Sequence, residues 1–232
     1  MSRKILLDVE TTGLNANGSD KIVEIACIEL LDDNFGKEFH FYLNPEREIP
    51  FEATKVHGIT NEKVQDCPVF EHIVEDLLTF IGDSPIIAHN AEFDRGFVNA
   101  ELMRCGKELF PKERYIDTLV LARKKFPDQK NTLDHLCNRF NIDLKARAEY
   151  HGALIDTMLL GKVYLRLVSK EHLFDEDQHL VNSSNNGSTN YVIKYDASYF
   201  TLRKYTLSES EKQRHWQFLV ENISNHLWTT KL

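Results

Sequence analysis

The order of predicted strands and helices over the first 168 residues most limits the fold of this chain. Residues 4–10, 23–31 and 38–43 are predicted strands, and turn residues join the last two as an antiparallel hairpin. The next elements, in chain order, are helix 69–80, strand 86–88, helix 90–105, strand 115–117, and helices 118–126, 132–140 and 152–168. A hairpin followed by strands interleaved with helices predicts an α/β fold with a mixed five-stranded sheet flanked by helices.

The chain changes character after residue 168. Residues 171–190 are mostly polar, and positions 182–190 contain no apolar side chain, which is typical of a flexible linker. Residues 191–232 then hold both tryptophans and an apolar stripe at three- and four-residue steps, which indicates a small helical module: Trp216, Leu219, Ile223 and Leu227. We therefore expect a domain over residues 1–170, a linker over 171–190 and a C-terminal module over 191–232.

The apolar stripe of the C-terminal module needs a surface to pack against, because about 40 residues without disulfides or metal rarely fold alone. The stripe could fold back onto the first domain, or it could bind a separate protein. The polar linker favours a separate protein, since a segment of the same core would not need one. The module has six basic and four acidic side chains, an excess that is small for binding DNA.

Composition excludes several other functions. The net charge of -8 argues against a chain that holds nucleic acid by bulk charge alone. No apolar run exceeds four residues, so no membrane span is predicted, and Asp8 interrupts the first apolar residues before a signal peptide could form. We expect a cytoplasmic protein with reduced, mostly buried thiols at its four separated cysteines, Cys27, Cys67, Cys105 and Cys137.

Two acidic residues end the first predicted strand. Asp8 and Glu10 are two positions apart, so the alternation of a strand places both carboxylates on one face. Thr11, Thr12 and Gly13 then break the strand and leave the pair beside an open loop. Taken alone, such a pair is more often a solvated strand end than a functional site.

The segment 89–94 leads from the strand 86–88 into a helix that Asn90 is expected to cap. It places Asp94 in the first helical turn, where the helix dipole favours an ionised carboxylate, as a metal ligand requires. Glu92, the other acid of this segment, is expected on the surface. The alternative for Asp94 is an ordinary acidic residue at a helix start.

His151 and Asp156 lie at the start of the last predicted helix. Gly152 and Ala153 precede Asp156 by four and three positions, so they lie on the same helical face as its carboxylate. Their small size leaves room there for a bulky group such as a hydrated metal ion. A single histidine at such a position is otherwise more often structural or exposed.

The three segments together supply four carboxylates and one histidine. Oxygen ligands suit Mg²⁺ or Mn²⁺ better than zinc, and crowded carboxylates would repel one another unless cations were present. Two divalent cations would cancel this charge and suit the in-line displacement of a phosphoryl group, with histidine taking a proton from water. We therefore expect two divalent cations, Mg²⁺ or Mn²⁺, as cofactors.

The three segments resemble the sequence motifs of the DEDDh 3′→5′ exonucleases, a family with a ribonuclease-H-like fold. The matching residues are Asp8, Val9, Glu10, Thr11, Thr12 and Gly13; His89, Asn90, Phe93 and Asp94; and His151, Gly152, Ala153 and Asp156. The resemblance covers residues 4–168, and three motifs in order make it specific. Further stretches at 56–59, 122–127 and 132–137 make the chain most similar to the proofreading exonuclease subunits of bacterial replicative DNA polymerases.

The resemblance implies a role for each motif residue. It implies that Asp8, Glu10, Asp94 and Asp156 are metal ligands and that His151 is the general base. It further implies that a second set of residues binds the substrate at its terminal nucleotide: Asp8, Glu10, Thr11, Glu52, His57 and Asp156.

The resemblance also implies the activity and the partners. It implies a proofreading enzyme of the replisome that releases 5′-mononucleotides from the 3′ end of DNA, and a polymerase subunit bound through residues 191–232. A small third core subunit and the sliding clamp are further candidate partners. Two alternatives stay open: a free-standing DEDDh nuclease in RNA trimming or DNA repair, and an inactive binding or scaffolding module.

Overall fold

The computed structural model describes residues 2–145 and 151–169. Its strands are β1 (Arg3–Thr11), β2 (Ile22–Leu31), β3 (Asn34–Tyr42), β4 (Ile86–Ala88) and β5 (Tyr115–Asp117). They form one sheet in the order β3-β2-β1-β4-β5. The first three strands pair antiparallel, whereas β4 runs parallel to β1 and β5 runs parallel to β4. The structure thus confirms the predicted mixed five-stranded sheet and its ribonuclease-H-like architecture.

Helices flank the sheet close to the predicted positions. They are α1 (Phe51–His57), α2 (Asn61–Val64), α3 (Phe70–Ile81), α4 (Ala91–Arg104), α5 (Thr118–Lys125), α6 (Leu133–Arg139) and α7 (Ala153–Val168). The sequence analysis missed α1 and α2, because seven and four residues are too few to show a helical period. Pro50 precedes α1, and the Thr60 side chain caps α2 by accepting from the Lys63 N–H.

The two faces of the sheet have separate hydrophobic cores. Ile5, Leu7 and Val9 of β1 belong to the core that α3 and α4 cover, whereas Leu6 belongs to the core beneath α6 and α7. Side chains alternate along a strand, so Asp8 and Glu10 lie on the same face as Leu6. Helix α7, the last of the motif-bearing helices, therefore covers the face that carries both acids.

A glycine lets α7 lie close to β1. A Cβ atom at Gly161 would be only 2.7 Å from Cδ1 of Leu6, and it would also meet the ring of Phe35. Close packing against Leu6 fixes the height of α7 above the sheet. This packing determines how near the start of α7 comes to the acidic end of β1.

Several other expectations can be compared with the structure. The four cysteines are thiols and form no disulfide, as expected, with Cys27 and Cys137 buried and the other two half-buried. No helix within the described ranges is long and apolar enough to cross a membrane. The predicted linker at 171–190 and the C-terminal module at 191–232 lie outside the described residues and stay predictions.

Candidate active site

The two acidic residues of β1 lie near its end, next to a loop that is bound to the rest of the protein. Asp8 and Glu10 are both half-buried. Thr11 is buried, and its hydroxyl donates to the carbonyl oxygen of Gly13 at 2.6 Å. Gly13 itself packs against Asp20, whose carboxylate would lie 2.4 Å from any Cβ at that position. The loop after Glu10 is therefore held close to the protein.

The start of α7 brings two further motif residues to Glu10. Ligand atoms of Glu10, His151 and Asp156 all lie within 4.8 Å of one another. Nδ1 of His151 is 3.7 Å from Oδ2 of Asp156, and the His151 side chain is 46% exposed while that of Asp156 is 6% exposed. The imidazole thus stands at the solvent side of the group, and the carboxylate at its protein side. The fold thus brings the first motif, with Glu10, next to the third motif, with His151 and Asp156, as predicted.

Asp94 approaches the acidic end of β1 from α4. Its side chain is buried, and Oδ1 accepts a hydrogen bond of 3.2 Å from the backbone N–H of Val9, the residue between the two acids of β1. Burial raises the pKa of Asp94 well above its ordinary value, and Asp117 adds to the effect, whereas the hydrogen bond from Val9 partly opposes it. A cation beside this carboxylate would favour its ionised form.

The segment before α4 is held by residues that sequence reasoning missed. Asn90 occupies the predicted cap position of α4, but its side chain makes no cap hydrogen bond, and its φ of 65° is left-handed. The carboxylate of Asp117, at the end of β5, accepts instead from the backbone N–H groups of Asn90 and Ala91 at 3.1 and 3.2 Å. The next residue, Thr118, places its hydroxyl 2.9 Å from Nδ1 of His89. An acid as the last residue of a short strand was the available signal in the sequence.

Glu92 lies apart from the acidic group, as expected. Its carboxylate pairs with Arg95 and with Lys112, each at 2.7 Å, and it is half exposed. These ion pairs lower the pKa of Glu92. Glu92 therefore belongs to the surface of α4.

The two residues that the resemblance adds from α1 have opposite environments. The Glu52 side chain is 83% exposed and pairs weakly with Lys55 at 3.7 Å. His57 is only 5% exposed, and its Nδ1 accepts a hydrogen bond from the Ile59 N–H at 3.0 Å. Their contact with a terminal nucleotide stays a prediction.

The donors present fit divalent cations. The carboxylates of Glu10 on β1 and Asp156 on α7 converge with the imidazole of His151, and Asp94 of α4 reaches the same end of β1 through the Val9 N–H. Oxygen-rich donor sets of this kind suit Mg²⁺ or Mn²⁺, with an imidazole also compatible with Mn²⁺. The centre can hold cations against a phosphate and keep a proton acceptor beside them.

Comparison with known proteins shows the family to which the chain belongs. The sequence profile of the exonuclease family (RNase_T) matches residues 5–164. A DNA polymerase III subunit epsilon from Rickettsia felis is 43% identical over 94% of this chain and 95% of its own length. The subunit of that name from Salmonella typhimurium is 41% identical and covers 72% of each chain.

Solved structures agree in fold. Exonuclease X, solved with a 5′-overhanging duplex DNA, is similar with a TM-score of 0.55 and 28% identity, covering 72% of this chain and 90% of its own. Exonuclease I has the same fold with a TM-score of 0.62 and 19% identity over 76% of this chain and 43% of its own. The fold and the acidic centre define a metal-dependent exonuclease. Within that class, this chain belongs to the family of DNA polymerase III epsilon subunits.

Proposed function

We propose that this chain is the proofreading exonuclease of a replicative DNA polymerase. It removes misincorporated nucleotides by hydrolysing the terminal phosphodiester at the 3′ end of DNA and releases 5′-mononucleotides. The observation that carries this proposal is the convergence of Glu10, His151 and Asp156 in a chain whose relatives over almost its whole length are named as subunits of a DNA polymerase. Its cellular place would be the cytoplasmic replisome.

The motif residues have different roles in the proposed reaction. Asp8, Glu10, Asp94 and Asp156 would hold two divalent cations, which stabilise the attacking and leaving oxygens of an in-line displacement when bound. The exposed imidazole of His151 would take the proton of the attacking water, since histidine titrates near neutral pH. The buried carboxylate of Asp156, whose Oδ2 is 3.7 Å from Nδ1 of His151, would stabilise the positive charge that the ring takes up with the proton.

Substrate contacts would come from the rim of the same centre. Thr11 ends β1, and its hydroxyl holds the following loop through the Gly13 carbonyl; the backbone of this segment would contact the terminal nucleotide. Glu52 is exposed and pairs only with Lys55 at 3.7 Å, so its carboxylate would be available to a sugar hydroxyl of the substrate. Buried His57 would act mainly by shaping the wall beside that loop.

A nuclease assay tests the activity. The full-length chain should release mononucleotides from 5′-labelled single-stranded DNA in Mg²⁺ or Mn²⁺, and a chelator should stop the release. Asp156→Ala should abolish release, because the cation loses a ligand, with little loss of stability since the remaining acids repel one another less. Faster cleavage of a matched RNA strand would favour an RNA-trimming nuclease, and no release at all would favour a binding module.

A binding assay tests the polymerase partner. We expect residues 191–232 to bind the polymerase subunit, because their apolar stripe needs a partner surface. A chain that ends at Val181 should cleave single strands like the full-length chain and should no longer co-elute with the polymerase subunit. Retained co-elution, or loss of folding in the shortened chain, would contradict this placement of the docking segment.

A further inference from the structure

A buried glutamate lies directly opposite Glu10 in the sheet. Glu24 of β2 pairs with Glu10 of β1 in the antiparallel register, so both side chains lie on the face that α7 covers. Glu24 is only 2% exposed. A carboxylate is rarely buried to this extent unless its oxygens are bound by donors.

Both carboxylate oxygens of Glu24 have a donor. Oε1 lies 2.7 Å from Nε2 of His40 on β3, which donates because a carboxylate can only accept. Oε2 accepts a hydrogen bond of 3.1 Å from the backbone N–H of Ala153, the first residue of α7. Glu24 thus links β2 and β3 to the start of the helix that carries Asp156.

The start of α7 needs such a partner from outside the helix. The first N–H groups of a helix have no carbonyl within the helix, and the helix dipole favours a negative charge beside them. Gly152 occupies the cap position and has no side chain to supply the missing acceptor. Glu24 supplies it from a strand 129 positions earlier in the chain.

Two further contacts hold the start of α7, one on each side of Ala153. The His151 backbone N–H donates to the carbonyl oxygen of Val56 at 3.2 Å, which holds the segment on the side of α1. One turn into α7, the Thr157 hydroxyl donates to the Ala153 carbonyl at 2.7 Å and approaches the Ala26 carbonyl of β2 at 3.5 Å. Between these points, the hydrogen bond from Ala153 to Glu24 joins the helix start to the sheet.

We propose that Glu24, held by His40, is a positioning residue for the exonuclease reaction. It fixes the start of α7 above β2, so that His151 and Asp156 face Glu10 at the distance the reaction needs. This inference rests on the proposed exonuclease function and deepens it. Glu24 is not a cation ligand in this assignment, because its two oxygens are bound to His40 and Ala153.

Two substitutions distinguish the effect of the length of the Glu24 side chain from the effect of its charge. Glu24→Asp keeps the charge but is one methylene too short to reach the Ala153 N–H. Glu24→Gln keeps the reach, because its amide oxygen can accept from Ala153 while its NH₂ donates to His40 in the other ring tautomer. If Glu24 is a positioning residue, Glu24→Gln should retain more activity than Glu24→Asp. If Glu24 is a cation ligand or acts only through its charge, the order should be the reverse.

The expected results concern turnover, metal binding and the helix start. Glu24→Asp should lower kcat on single-stranded DNA about 10- to 100-fold, with KM changed less than about threefold, because the chemistry is misaligned while DNA contacts remain. It should weaken binding of Mn²⁺ alone about tenfold or more, as loss of an orienting partner does. Hydrogen exchange of the Ala153 amide should be about tenfold faster. Glu24→Gln should stay within about threefold of the wild type in all three measurements.

Glu29 offers a matched control on the same strand. It is a buried glutamate of β2 that pairs with Arg3 at 2.5 Å, five residues and so about 17 Å from Glu24. Glu29→Asp should lower the melting temperature without lowering kcat. If Glu29→Asp lowered kcat as much as Glu24→Asp, or if Asp were better than Gln at position 24, the positioning role would be overturned.

The measurements also separate this inference from the proposed function. Binding of Mn²⁺ and exchange of the Ala153 amide need no DNA, so both test the role of Glu24 even if the wild-type chain released no nucleotide. Unchanged exchange and Mn²⁺ binding in Glu24→Asp would overturn the positioning role while leaving the exonuclease function intact. Absence of nucleotide release by the wild type would overturn the exonuclease function by itself.

Discussion

Oδ1 of Asp94 accepts a hydrogen bond of 3.2 Å from the backbone N–H of Val9. This contact joins the first turn of α4 to the strand residue between Asp8 and Glu10. The side chain of Asp94 therefore has a structural partner in addition to its proposed role as a cation ligand. A substitution that keeps the hydrogen bond and removes the charge can distinguish the two roles.

Asp94→Asn is such a substitution. The amide oxygen can still accept from Val9, so the melting temperature of the metal-free protein should be unchanged or higher, because burial disfavours the ionised carboxylate. Turnover in Mg²⁺ should fall by at least about 10²-fold, since a ligand charge is lost. Glu92→Gln removes an exposed acid of the same helical turn and should leave turnover unchanged. Equal losses in the two variants would contradict the assignment of Asp94.

His151→Ala should affect turnover more than binding. Its side chain is half exposed beside Asp156, so its removal leaves little cavity and takes away the proton acceptor. We expect kcat to fall about 10² to 10⁴-fold, with DNA affinity nearly intact. Turnover of the variant should recover in part at high pH, where hydroxide replaces the activated water. Lost DNA affinity with retained turnover would make His151 a substrate contact instead.

Asp117→Ala tests how the start of α4 is held. The variant loses the acceptor for the N–H groups of Asn90 and Ala91 and also the cap of α5, where Asp117 accepts from Leu119 at 2.8 Å. We expect a loss of about 1 to 3 kcal/mol in the free energy of unfolding. Turnover should fall about tenfold, because Asp94 follows the displaced segment.

A second helix cap provides the control for Asp117. Thr132 caps α6 by accepting from the His135 N–H, and α6 carries none of the proposed catalytic residues. Thr132→Ala should cost about 1 kcal/mol of stability and leave turnover unchanged. If both variants lost turnover in proportion to stability, Asp117 would be an ordinary cap.

The local parts of the site could be predicted from the sequence. The pairing of Asp8 with Glu10 follows from strand alternation, and the placement of Asp156 follows from helical periodicity. The resemblance to the exonucleases then implied that these segments meet, and the distances among Glu10, His151 and Asp156 agree. Each of these inferences needs only one element or one motif at a time.

The supporting contacts could not be predicted in this way. Glu24 binds a backbone N–H 129 positions away, and Asp117 binds one 26 positions away, so no local period relates the partners. The sequence analysis chose Asn90 as a cap because asparagine often caps helices. Its left-handed backbone leaves that role to a carboxylate from the neighbouring strand. Which side chain serves as the hydrogen-bond acceptor at a helix start therefore depends on tertiary packing.

His57 gives the protein a sensitivity to acid. Burial lowers the pKa of His57, and the backbone of Thr11 and the charge of Glu24 partly oppose this, whereas Lys63 and His151 add to it. The folded state therefore favours the neutral ring and binds fewer protons than the unfolded state. The stability that neutral His57 contributes is fully present above its unfolded pKa of about 6.5 and is lost as the pH falls from there toward the folded pKa.

Denaturant unfolding of the metal-free protein measures this effect at pH values from about 7.5 to about 5, on either side of the unfolded pKa of histidine. His57→Gln should be less stable than the wild type at about pH 7.5, because a buried side chain is changed, and the difference between the two should shrink as the pH falls. The raised pKa of Asp94 favours the folded state in acid, but it acts in both proteins alike, so the comparison isolates His57. His72→Gln, which changes an exposed histidine of α3, should keep the wild-type slope. A difference in stability between His57→Gln and the wild type that stayed constant over this range would contradict the role of His57, because removal of a histidine held neutral by the fold must change the pH dependence.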